Sequence, residues 1–363
     1  MNRPCANISE LARHAGLSRS ATAYALRNHP NSSRATRERI QKLARELGYR
    51  PDPILGKLMS RLRQKRERRY AGQLAFINPD KDRSYPDTTP AVRDFLHHAK
   101  MRAEEIGYRV EEFWLHEPGR SPQRLAHMLQ SRGIEGIILG PQKQYGSVSR
   151  FPWSDFAAVT IGYSVSEPTL MRVVSHHYRN TLLAMEKVLA TGYQRPGLLT
   201  LRSQEDAMVK LHVAAFLAHQ QEMSPKNRVA LMNSDAMNPK VIRTWFDEQK
   251  PDVILTTNYP ARLHFAERGI RIPDDVALVS VLRWDDEKGI AGVRPGMERL
   301  GTTAVNLLAS QLQHDERGIP ESCTTVELEG RWVDDASMPA PAKIMGARAP
   351  ASRKTKIGMG PNG

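Results

Sequence analysis

The sequence predicts an α/β protein: an N-terminal all-α helix-turn-helix head followed by a two-lobed body built on parallel sheets. Three observations carry that expectation. Charge is concentrated at the front, where residues 1–70 hold 17 Lys/Arg against 5 Asp/Glu, a net of +12 in a chain of 363 residues whose total is +14. Apolar residues of the head recur at i, i+3, i+4, i+7, the stripe of short amphipathic helices. From residue 72 onward, short apolar runs alternate with longer helical patterns, the rhythm of parallel strands returned by crossover helices.

In the head, Ile8, Leu11, Ala12 and Ala15 form one stripe and Gly16 follows where a turn residue is wanted. Ser18 is a suitable N-cap for a second helix from about Arg19 to Asn28. Helix, glycine turn, helix is the plan whose second helix enters the major groove, although a plain helical hairpin shares the pattern. A third helix runs from an N-cap at Ser33 to Gly48, with Ile40, Leu43, Ala44 and Leu47 as its apolar stripe. Pro51 stops it, and Asp52–Pro53 read as the cap and first residue of another.

In the body, strands are expected at 74–77, 108–113, 136–139, 157–161, 196–200, 229–231 and 253–257. Helices are expected at 91–106, 122–130, 180–191, 207–221 and 239–249, with a polar loop from Pro79 to Pro90. About 265 residues is long for one such sheet, hence two lobes, with a ligand expected between them at the carboxyl ends of the strands. The expected domains are a head at 1–50, a hinge helix and basic linker at 51–70, the body at 71–336, and a disordered basic tail at 337–363.

Several chemistries are disfavoured. No run of about 18 apolar residues suggests a membrane span, and the N-terminus lacks the apolar stretch of a secretory signal, so a cytoplasmic protein is expected. Cys5 and Cys323 are the only cysteines, and neither belongs to a CxxC pair. The pairs His97/His98 and His176/His177 diverge by about 100° on a helix and do not chelate as i,i+4 histidines do. No nucleophile elbow, phosphate loop or dinucleotide fingerprint occurs, so neither enzyme activity, metal nor cofactor is expected.

The run "ISELARHAGLSRSATAYALRNHPNSSRATRERIQKLARELGYRPDPI" resembles the DNA-binding head of the lactose-repressor (LacI/GalR) family of transcriptional regulators. The segments "RGIEGIILGP", "GYQRPGLLTL", "PDVILTTN", "GIRIPDDVALVSV" and "RPGMERLGTTAVNLLASQL" resemble family segments in the family's order. The resemblance implies a body like periplasmic sugar-binding proteins, a homodimer on palindromic double-stranded DNA, and control by a small effector, a sugar or related metabolite.

Carried over by position, Arg19, Ser20 and Tyr24 would read base edges, and Ser18, Thr36 and Arg37 would position the phosphates. Leu55 and Leu58 fall on the hinge helix; Leu58 would either wedge into the minor groove or pack against a hinge helix. Asn78, Tyr163 (after Gly162), His212, Asn258, Trp284 and Asp285 would face the effector, Asp285 bonding hydroxyls and Trp284 stacking on a sugar face.

The chain also departs from the family pattern. Ala23 and Tyr24 stand where a Ser-Arg pair is usual, His212 where many members carry an effector-binding arginine, and His176/His177 near a usual aspartate. Six of the nine residues 61–69 are basic, a run that could touch phosphates or extend the hinge helix as a solvated face. Two other readings share these features: a carbohydrate-binding protein of transport, and a sugar-processing enzyme carrying an electrostatic DNA-binding head.

If Arg19 reads a guanine, Arg19→Ala relaxes preference at one base position per half-site while other positions keep theirs. Selection from a random duplex library reads this directly, and unchanged selectivity removes the role.

Overall fold

A computed structural model describes residues 8–26, 32–47, 72–148, 150–236, 238–257, 265–284 and 287–341. It divides into two compact units. Unit 1 takes residues 1–175 and 296–328, and unit 2 takes 176–295 and 329–363.

The head consists of α1 (Ile8–Ala15), α2 (Arg19–Leu26) and α3 (Arg34–Glu46). Gly16 has φ of +66°, a conformation that a Cβ disfavours, and the Leu17 amide donates to the Ala12 carbonyl at 3.0 Å. The shared apolar face buries Leu11, Ala12, Ala15, Ala25, Ile40 and Ala44. The Arg39 guanidinium donates to the Ala15 carbonyl at 3.2 Å, tying α3 to the otherwise open end of α1.

Unit 1 carries β1 (Gly72–Asn78), α4 (Tyr85–Thr88), α5 (Pro90–Glu105), β2 (Tyr108–Trp114), α6 (Pro122–Ser131), β3 (Gly136–Leu139), β4 (Gly146–Ser147), β5 (Ala157–Ile161), β6 (Val165–Glu167) and β7 (Met171–Ser175). Its main sheet is parallel, in the order β13-β7-β5-β3-β1-β2, where β13 is Thr325–Leu328. Alternate residues go to opposite faces. Leu74 and Phe76 of β1 join Phe95 and Ala99 of α5, while Ala75 and Ile77 join Leu125 and Leu129 of α6.

Unit 2 carries α7 (His177–Ala190), β8 (Pro196–Leu201), α8 (Arg202–Ala207), α9 (Leu211–Gln221), β9 (Met232–Ser234), α10 (Pro239–Gln249), β10 (Val253–Thr256), β11 (Ala277–Ser280) and β12 (Ala291–Arg294). The order is β14-β12-β11-β10-β8-β9, with β14 (Arg331–Val333) antiparallel to β12 and the other pairs parallel. Between the units in sequence, α11 (Met297–His314) belongs to unit 1, where Leu300, Ala304, Val305 and Leu308 share a core with α5.

Four expectations are corrected. The helix expected at 180–191 starts at His177, because the His176 imidazole caps it, accepting the Arg179 amide at 3.5 Å. The helix expected at 207–221 is two helices broken at Val209 and Lys210, both left-handed, with φ of 47° and 60°. The strand expected at 229–231 is Met232–Ser234, since pairing with β8 aligns Met232 with Leu199. Residues 337–339, expected in the tail, are instead packed onto unit 2. Ser337 is buried and donates to the Leu278 carbonyl at 2.6 Å, Met338 joins the unit 2 core, and the Pro339 carbonyl accepts the Tyr193 hydroxyl. Residues 342–363 lie outside those described.

Helices α5 and α11 cross backbone to backbone. A Cβ on Gly301 would stand 2.6 Å from the Phe95 carbonyl oxygen and 2.8 Å from the Ala99 nitrogen. Gly301→Ala is expected to cost about 1–3 kcal/mol by forcing the pair apart, read as a lower urea midpoint.

Candidate functional site

The head presents a surface whose local chemistry can be followed atom by atom. Ser18 caps α2 by accepting the Ala21 amide at 3.1 Å, and Thr22 is buried, its hydroxyl donating to the Ser18 carbonyl. Ser33 caps α3, accepting the Thr36 amide at 3.2 Å and lying 2.7 Å from the Thr36 hydroxyl. Arg37 donates its Nε to the Ser32 carbonyl at 2.8 Å, and Arg34 pairs with Glu38 at 2.9 Å. The Ser18 and Thr36 hydroxyls therefore organise the starts of α2 and α3, where backbone N–H groups favour an anion. Tyr24 is 43% exposed on α2. Arg19 and Ser20 occupy the first turn of the same helix; Leu55 and Leu58 fall outside the described residues.

In unit 1, chain order reverses between β1 and β3, and ligands of open parallel sheets bind at the carboxyl end of such a switch point. Here that end is bridged by charge. The Asn78 side chain is buried, accepts the Asp80 amide at 3.0 Å, and donates to the carbonyls of Asp82 and Arg83. Asp80 accepts the Asp82 amide, and Asp82 accepts both the amide and the hydroxyl of Ser84. From the loop after β3, Lys143 gives its amide to Asp80 at 2.6 Å and its ammonium to Asp82 at 2.7 Å. The Lys143 ammonium, with the Ser84 hydrogen bonds, holds the Asp82 carboxyl down at about 2. Asn78, expected to meet a ligand, is thus engaged in shaping its own loop. Tyr163, which follows β5 and Gly162, donates to Glu327 at 2.7 Å and lies under the Arg172 guanidinium.

In unit 2 the corresponding reversal lies between β8 and β10. The short helix α8 leaves the end of β8. Gln204 accepts the hydroxyl of Thr257, just past β10, at 3.3 Å, and Arg202 pairs with Asp235, just past β9, at 2.7 Å. Beneath it, Glu205 and His212 are both fully buried, 3.0 Å apart, and the His177 ring stands edge-on to His212 at 4.8 Å. His212, expected to touch a ligand, therefore sits in the interior. Trp284 is half-buried beyond β11; Asn258 and Asp285 lie outside the described residues.

Residues 7–52 match the sequence profile of bacterial regulatory proteins, lacI family, and residues 185–332 that of a periplasmic binding protein-like domain. The chain thus combines a lacI-type head with a periplasmic-binding-protein-like body. It is 25% identical over 301 residues to the sucrose operon repressor of Escherichia coli, covering 76% of this chain and 83% of that protein. Among solved structures, a transcriptional regulator CelR–cellobiose complex aligns over 92% of this chain and all of that one, at 18% identity and a TM-score of 0.53. The Lac repressor dimer bound to operator and the anti-inducer ONPF aligns over 93% and 99%, at 17% identity and a TM-score of 0.53. These two likenesses are of fold. Among the described residues, no helix is long and apolar enough to cross a membrane.

Sequence reasoning missed Lys143 and Glu205, each bound to partners distant in sequence or hidden across a break in the helix. The Asn-x-Asp-x-Asp-x-Ser spacing of residues 78–84 was the available signal, since each such side chain can accept the amide two residues on.

Burial, followed by the neighbouring His212 and His176, pushes His177 well below the usual histidine range. His177 thus stays neutral when folded, while an unfolded histidine charges near pH 6.5. Its stabilisation is complete above about pH 6.5 and is lost as pH falls toward the folded value. Thermal midpoints should drop between pH 6.5 and 5, with a shallower slope in His177→Gln; parallel slopes would contradict the assignment.

Proposed function

We propose that the protein is a sequence-specific DNA-binding transcriptional regulator, a repressor, controlled by a small effector that is a sugar or a related metabolite. The carrying observation is the head: two helices joined at Gly16, stapled by α3, with Tyr24 standing out from α2. The sucrose operon repressor supports the regulatory role and the effector class, and the operator-bound Lac repressor dimer supports a twofold partner on DNA. Regulation rather than catalysis is the work of the family, and a cytoplasmic location follows from access to DNA.

On this reading Arg19, Ser20 and Tyr24 read bases. The capped starts of α2 and α3 at Ser18 and Thr36, with Arg37, hold phosphates. Within a hinge helix and basic linker at 51–70, Leu55 and Leu58 are the minor-groove residues. Tyr163, Asn258, Trp284 and Asp285 meet the effector directly, whereas Asn78 and His212 act by positioning the loops around them. Effector binding in the body at 71–336 changes the hinge and so the affinity for DNA, a coupling of two sites.

Selection of bound duplexes from a random library at near-physiological salt tests the reading, repeated with sucrose and with a panel of other sugars. A palindromic site whose enrichment changes with one sugar is the expected result, with affinity falling steeply as salt rises. Enrichment of no sequence under any condition would contradict it.

A further inference from the structure

The α8 helix is placed as a strap. It leaves the carboxyl end of β8 at the switch point of the unit 2 sheet, and Gln204 reaches across that point to Thr257 beyond β10. Its far end is a break rather than a loop: Val209 and Lys210 are both left-handed, and a β-branched residue is among the least tolerant of that conformation. Such a turn persists only when its surroundings over-determine it.

The surroundings here centre on one residue, Glu205, through its main-chain carbonyl and its carboxylate. Glu205 accepts the Lys210 amide on its carbonyl at 2.6 Å, the Val213 amide on Oε2 at 3.3 Å, and Nδ1 of His212 on Oε1 at 3.0 Å. One buried acid thus closes the strained turn, caps α9 and grips the imidazole that follows. The His212 Nε2 atom is buried with no hydrogen-bond partner among the described residues. The edge of the His177 ring stands alongside.

We propose that Glu205, His212 and His177 form a buried latch that holds α8 across the carboxyl end of the unit 2 sheet, and that releasing the latch frees the strap. His212 is then a positioning residue rather than a ligand contact. The latch sets where Arg202 and Gln204 stand when a ligand arrives. The proposal rests on the effector reading for the strap's purpose, whereas the latch itself is testable without ligand.

The charged and titratable groups around the pair are few. On α8 they are Arg202, Glu205 and Asp206, and at the turn Lys210, which lies 3.8 Å from Asp206. On α7 and its cap they are His176, Tyr178, Arg179, Glu186 and Lys187, and on α9 His219. The strands packed on α7 bring Arg294 of β12 and Arg331 of β14, and β8 brings none.

Hydrogen–deuterium exchange on the full-length, ligand-free protein decides the matter. At pH 7.5, His212→Leu should speed exchange of the amides of residues 203–213 about tenfold, the worth of one buried hydrogen bond, and leave those of β10 and β11 unchanged. His212→Asn, which keeps a donor near the Nδ1 position and cannot be protonated, should retain wild-type protection. Equal protection in the Leu variant, loss spread over the whole of unit 2, or a loss in the Asn variant as large as in the Leu variant would each overturn the latch. Should the Leu variant fail to fold, His212→Gln, whose amide falls nearer the Nε2 position, reads the same local loss. An intact latch in a protein whose DNA selection answers to no sugar would overturn the effector reading alone.

Discussion

Parallel pairing is the constraint on which the body depends. A parallel strand cannot be returned by a tight turn, so each needs a crossover, and helices consequently cover both faces of the sheet. The strands must then be buried on both sides, as β3 and β10 are along their whole length. All carboxyl ends within a parallel sheet also point the same way, so polar side chains that cannot enter the core collect at that edge. Asn78, Lys143 and Asp82 gather there in unit 1, and Arg202, Gln204 and Thr257 in unit 2. The two units answer one topological problem with different chemistry: an ion pair joins the loops in the first, and a short helix spans them in the second.

Legibility followed the same divide. Strands at 136–139, 157–161 and 253–256 announced themselves as apolar runs, and helices beginning at Pro122 and Pro239 carried a capping residue directly before them. The break between α8 and α9 carried no such sign, because neither glycine nor proline marks Val209 and Lys210. It is imposed by Glu205, whose partners become visible only once the chain is folded. The early start of α7 was concealed in the same way, by a histidine serving as cap in place of the usual Ser, Thr, Asp or Asn.

The site residues divide similarly. The helices and turn of the head were readable from nearby residues, since capping and turn chemistry act over four or five positions. The strand-end residues were readable only as positions. Asn78 and His212 lie where the resemblance placed them in sequence, yet their side chains face inward, Asn78 into its own loop and His212 onto Glu205. A strand-end position says where the backbone emerges, whereas the direction of the side chain depends on neighbours supplied by other segments.

The order in which the segments are made gives one of these features a further meaning. The apolar face of α5 is covered by α11, and the edge of its sheet by β13, both of which lie beyond the whole of unit 2 up to residue 295. During synthesis, the first unit to begin is therefore among the last to close. Its exposed face must wait while some 120 residues of unit 2 leave the ribosome, and unit 2 itself awaits β14 and Ser337. A chain cut short before residue 297 lacks α11, β13 and β14, so the cover over the core face of α5 and one edge strand of each sheet are missing.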